Sequence, residues 1–111
     1  MRTFKSTQQD LQARIVREVR RGRATSRGVL ADALEIAPST MGIHVEELAR
    51  RGFLTESGVE RGPTGRPKRI LKLISGMGWF AGVEFTGGLL QAVRLDFAGK
   101  VQKTLLEPLP V

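Results

Sequence analysis

The chain contains no cysteine, so disulfides and thiolate metal sites are excluded. Its single histidine, His44, has no second imidazole or thiol with which to build a metal site. No run of about 18 apolar residues occurs, which excludes a helical membrane span. The opening stretch, MRTFKSTQQD, lacks the apolar core of a secretory signal, and a cytoplasmic location is expected. Internal repeats and low-complexity segments are also missing.

What remains is a 111-residue sequence with 41% hydrophobic residues, enough for one ordinary domain or a small domain plus a fragment. Its charge is unevenly placed. Residues 1–72 hold 15 Lys+Arg against 8 Asp+Glu, a balance of +7, while residues 73–111 hold 3 of each. A basic excess confined to one domain-sized segment points to a polyanion, nucleic acid before membrane. From charge alone, a solvated surface explains it equally well.

Residues 7–21 place Leu11, Ile15 and Val19 four apart, with Val16 widening the stripe, which predicts an amphipathic helix. Ser6 and Gln9 fit a capping box at its start, and Gly22 ends it. Thr25-Ser26 offers the next N-cap, and the segment SRGVLADAL predicts a short helix with Val29, Leu30, Ala33 and Leu34 as its apolar face. After the break Glu35-Ile36-Ala37, Pro38 suits the first position of a third helix running to Gly52. There Met41, Val45 and Leu48 define the buried side, and His44 beside them is read as a partly packed surface residue. Two short helices separated by a tight turn are the signature of a helix-turn-helix.

FLTE (53–56) and RILKL (69–73) are short strand candidates, joined by a Gly-, Pro- and charge-rich loop over 57–68. Three helices followed by such a hairpin make a winged helix-turn-helix. Gly76-Met77-Gly78 then breaks the pattern, which sets the expected domains at 1–74 and 75–111. In the second segment three strands are predicted, over WFAGVEF, LLQAVRLDF and KVQKTLLEP. Trp79, Ala81, Val83 and Phe85 share one face of the first, and turn signals stand at 86–88 and 98–100. The fold class expected is α+β: a winged helix-turn-helix, then a short antiparallel β-meander.

The order of these features, TSRGVLADALEIAPSTMGIHVEELARRGFLTE, a charged loop with GRP, then ILKL, resembles the start of ROK-family transcriptional repressors. SGMGWFAGVEFTGGLLQAVRLDFAGKVQKTLLEP is similar to the opening strands of that family's actin-like (ribonuclease H-like) domain. The resemblance implies a bacterial repressor of sugar metabolism, here a truncated chain with an incomplete effector domain. It also implies no kinase activity. The turn that approaches ATP phosphate in kinase members, Asp-x-Gly-Gly-Thr, is here Glu84-Phe85-Thr86-Gly87-Gly88, and the family's later catalytic Asp, sugar motif and His/Cys zinc motif lie outside this sequence. No catalytic residue, cofactor or metal ligand is assigned, and no sugar effector is expected on this chain.

In that arrangement double-stranded DNA is the expected partner. With Met41, Val45 and Leu48 inward, Ser39, Thr40, Gly42 and Ile43 face the major groove: two hydroxyl donors, a close-approach glycine, and a side chain for a thymine methyl. Arg27, at the start of the second helix, is expected to clamp phosphate. The stretch TGRPKR places Gly65, Arg66 and Pro67 like the core of an AT-hook, with Arg66 for a narrow A·T-rich minor groove and Lys68 and Arg69 for its phosphates. Arg50 and Arg51 complement the dipole at the third helix's end. Two other readings stay open: a protein-interaction module using the winged helix or exposed strand edges, and a homodimer. Three strands alone are marginally stable, so 75–111 is expected to be loosely ordered as a monomer or ordered by self-association.

Overall fold

The computed structural model describes residues 7–22, 26–61 and 67–110. The chain divides into two compact units, Met1–Leu73 and Ile74–Val111. The first contains helices α1 (Thr7–Arg20), α2 (Arg27–Leu34) and α3 (Pro38–Arg50) and strands β1 (Leu54–Arg61) and β2 (Pro67–Leu73). The second contains β3 (Trp79–Thr86), β4 (Leu89–Asp96) and β5 (Val101–Pro108), preceded by a 3-10 turn at Ser75–Met77.

The helices form where the apolar spacing requires them. Ile15 and Val19 of α1, Leu30 and Ala31 of α2, and Met41, Val45 and Leu48 of α3 meet Leu54 of β1 and Leu71 of β2 in one core. On α2 the buried alanine is Ala31; Ala33, expected on the apolar face, is exposed. An eight-residue helix has no more than about two turns of stripe, so its exact rotation is set by what it packs on, here α3.

The ends of the helices carry the turn. Ser26 caps α2, its Oγ accepting the Val29 N–H at 3.2 Å. At the other end Glu35 adopts a left-handed conformation (φ 54°, ψ 50°), and the next residue, Ile36, donates its N–H to Ala31 O. A β-carbon in that conformation costs roughly 1–2 kcal/mol, which glycine avoids. Glu35→Gly is therefore expected to raise the stability of the helical unit by about 0.5–1 kcal/mol after the extra freedom of the unfolded glycine is subtracted. Urea unfolding of the two proteins checks this; an unchanged or lower midpoint contradicts the strain.

α3 starts at Pro38 after Ala37 and ends in a reversal at Gly52 (φ 87°), with Phe53 N–H bonded back to Leu48 O. β1 and β2 then pair antiparallel from Leu54↔Leu73 to Arg61↔Pro67. The strands reach further than the sequence suggests, because most of 57–68, expected as loop, continues the ladder. A register shift between Ser57 and Val59 makes this possible, with Gly58 (φ 75°) as the extra residue of a bulge. Pro67 lies at the first position of its strand, where a missing N–H is tolerated.

The second unit is one antiparallel sheet in the order β3-β4-β5. Trp79, Ala81, Val83 and Phe85 share a face with Leu90, Ala92 and Arg94, and Phe80 stacks on Phe97 on the other (centroids 6.1 Å apart). The alternation expected along β3 and β4 is present, but every residue of β3 and of β5 is exposed.

Candidate nucleic-acid interface

The open side of α3 follows from its buried side. With Met41, Val45 and Leu48 in the core, Ser39 and Ile43 are exposed and Thr40 and Gly42 half-buried. Ile43, with 67% of its surface exposed, is a large apolar side chain held outward by a helix whose other large apolar residues, Met41, Val45 and Leu48, are inside. Ala37 supplies no side-chain cap, so the first N–H groups of α3 lack the acceptor that Ser26 gives α2. Uncapped N–H groups at a helix N-terminus are suited to an anion.

Arg27 stands beside this face, already engaged. Its Nε and Nη2 donate to Glu56 Oε2 and Oε1, each at 2.7 Å, and its Nη1 donates to Glu46 Oε2 at 3.4 Å. Gly42 gives it room: a β-carbon at that position would lie 3.4 Å from Arg27 Nη1. The glycine expected to allow close approach to DNA thus also lets the guanidinium pass over α3. Glu56 belongs to β1, so the fork ties the base of the hairpin to the start of α2. Arg69, exposed on β2, adds to the positive field around Glu56, and an open recess is lined by Ser26, Arg27, Gly28, Glu56 and Arg69.

The hydrogen bond from Arg27 holds the Glu56 carboxyl below its ordinary range, its charge and that of Arg69 acting in the same direction and partial burial opposing them. A carboxylate with a lowered folded pKa stabilises fully above the ordinary glutamate range. That contribution is lost as pH falls through the folded value. The side chain of Arg27 is 36% exposed, so solvent screening limits the effect to about 1 kcal/mol. Glu56→Gln is expected to flatten the loss of stability below about pH 4.5, and unfolding midpoints at several acidic pH values check it. Parallel pH profiles for the two proteins would contradict the assignment.

His44 differs from its expected place. It is buried, and its Nδ1 lies 3.2 Å from Gln12 Nε2. Arg51 Nη1 donates to Gln12 Oε1 at 3.3 Å, which turns the amide NH₂ of Gln12 toward the ring and makes Nδ1 the acceptor. Arg51 also lies over the Phe53 ring, 4.9 Å from its centroid, so it does more than complement a helix dipole. Arg50 forks onto Glu47 on the exposed side. Nothing in local spacing announces these partners; Arg27 and Glu56 are 29 residues apart, and Gln12 and His44 32.

Of the remaining sequence-selected residues, Gly65 and Arg66 lie outside the described residues, as does Ser6. Pro67 and Lys68 lie in β2, with backbones paired to Arg61 and Glu60. The structure brings Arg27, Gly42 and Ile43 together around Glu46 and Glu56, two carboxylates that the sequence reading did not select. Among the described residues no cluster of His, Cys, Asp and Glu could hold a metal, and no helix is long and apolar enough to cross a membrane.

Residues 9–57, most of the first unit, match the family described as helix-turn-helix domain. The fold is similar to a crystal structure described as a ROK family transcriptional regulator, homolog of the E. coli MLC protein. The TM-score is 0.57 at 21% identity, over 92% of this chain. The aligned region spans 26% of that protein's chain. The α+β winged helix followed by a meander, expected from the sequence, is the fold found. No curated protein matches the chain.

Proposed function

We propose that the chain is a ROK-type transcriptional regulator that binds double-stranded DNA sequence-specifically, a repressor of sugar metabolism in which 1–74 reads the operator and 75–111 opens an actin-like effector domain. One observation carries the reading: the open side of α3 joins an uncapped N-terminus to Ser39, Thr40, Gly42 and an exposed Ile43. A solvated helix face gains nothing from an outward isoleucine, whereas a thymine methyl in the major groove covers it. Ser39, Thr40 and the helix N-terminus take phosphate or base-edge acceptors, and Arg69 and Lys68 flank the groove. Arg27 joins them by exchanging Glu46 for a phosphate while Glu56 still holds its far side. The role is binding, with no chemical step assigned to any residue.

Gly65, Arg66 and Pro67 complete the interface in this reading, with Arg66 in the minor groove. Titration of labelled duplexes by fluorescence anisotropy at low salt tests both parts. Wild-type protein is expected to bind, and Arg66→Ala to bind with about 1–3 kcal/mol less free energy and less preference for A·T-rich flanks. No binding by the wild type removes the proposal. Unchanged affinity of the variant on A·T-rich and G·C-rich duplexes reduces TGRPKR to a connecting loop.

A further inference from the structure

The outer edge of β5 carries a pattern that is complementary to itself. Among the described residues β5 pairs only with β4, and Leu105 and Leu106 are 43% and 59% exposed. Leu109 N–H donates to Gly88 O at 2.8 Å. Alternation along the antiparallel ladder then turns the backbone groups of Lys103, Leu105 and Glu107 toward β4 and those of Thr104 and Leu106 outward.

We propose that two copies of this chain pair through β5, antiparallel about a twofold axis at Leu105, forming one continuous six-stranded sheet. In that register Leu105 faces its own copy, Thr104 faces Leu106, and Lys103 faces Glu107 on each side of the axis. The outward backbone groups of Thr104 and Leu106 meet as hydrogen-bonded pairs. Leu105, whose backbone is already used by β4, falls at the closer non-hydrogen-bonded position, where its side chain packs on its copy.

Charge selects this occupant and this edge. Among the described residues Lys103 and Glu107 make no ion pair or side-chain hydrogen bond, and Lys103 lies across from Arg94, a like charge. The twofold register supplies each with its opposite, twice. The other edge, β3, has Glu84 as its only charge and no cation to place against it. Pro108 ends the seam at an outward position where it has no N–H to offer. Because the axis stands across the sheet, both copies extend the same apolar face, that of Val83, Phe85 and Leu105.

Sedimentation velocity of the full chain over a range of concentrations tests this, with Lys103→Glu, Glu107→Lys and the double exchange. The wild type is expected to dimerise. Each single exchange sets like charges opposite each other at both sites and weakens the dimer roughly tenfold or more, and the double exchange restores it. Circular dichroism of each variant monitors its sheet content. A wild type that stays monomeric throughout, single variants that dimerise like the wild type, or a double variant that fails to recover would each overturn the proposal.

Discussion

Raising the salt from 50 to 200 mM is expected to weaken duplex DNA binding by roughly a hundredfold. About four cations meet the duplex in this reading, Arg27, Lys68 and Arg69 on phosphates and Arg66 in the minor groove, each releasing condensed counterions with a slope near −0.9 in log affinity against log salt. The basic excess of the first 72 residues allows more contacts than this, but many of those arginines are committed elsewhere. Arg50 is forked onto Glu47, and Arg51 is held by Gln12 and Phe53. The same experiment weighs Arg27. If it exchanges Glu46 for phosphate, Arg27→Ala lowers the slope by about one; if it stays on its carboxylates, the slope is unchanged although affinity falls through a loosened hairpin. Anisotropy titrations at four or more salt concentrations give these slopes. A wild-type slope near zero would mean that the positive charge does not meet a polyanion backbone.

Met41→Ala is expected to destabilise the helical unit by about 2–5 kcal/mol. Met41 is fully buried among Ile15, Leu30 and Val45, so truncation leaves a cavity that all three helices must close or tolerate. Domains are stable by only about 5–15 kcal/mol, so this one change removes a large share. Ile43→Ala, two positions along the same helix, is the matched control. Its side chain lies mostly in solvent, so stability should change by no more than about 0.5 kcal/mol, while DNA affinity falls. Thermal or urea unfolding read alongside DNA binding separates the two effects. Equal stability losses for both variants would place the core of α3 on the wrong side and with it the proposed reading face.

Much of the helical unit could be read in advance because its information is periodic. Ile15 and Val19, or Met41, Val45 and Leu48, recur at the helical interval whatever they touch, and Pro38 and Gly52 mark ends by backbone chemistry that is local. The candidate interface was legible to the same extent: once the inward side of α3 is known, Ser39 and Ile43 can only be outward. The strands of the second unit followed from alternation and turn residues in the same way. The extension of β1 and β2 into the charged loop was not legible, because a bulge at Gly58 lets residues rich in turn signals continue a ladder.

What only the tertiary structure decided are partners distant along the chain. Arg27 looks from its position like a residue waiting for phosphate; two glutamates from α3 and β1 occupy it first, and Gly42 is bare partly to let it through. His44 is inside rather than at the surface because Gln12, on another helix, gives its ring a hydrogen bond, without which burying it would cost free energy. Ala31 rather than Ala33 is buried because α3 fixes the rotation of a helix too short to fix its own. Periodicity and caps depend on residues three or four apart, and one chain displays them completely. Charge pairing, burial of a polar ring and the rotation of a two-turn helix depend on groups that meet only when the chain has folded.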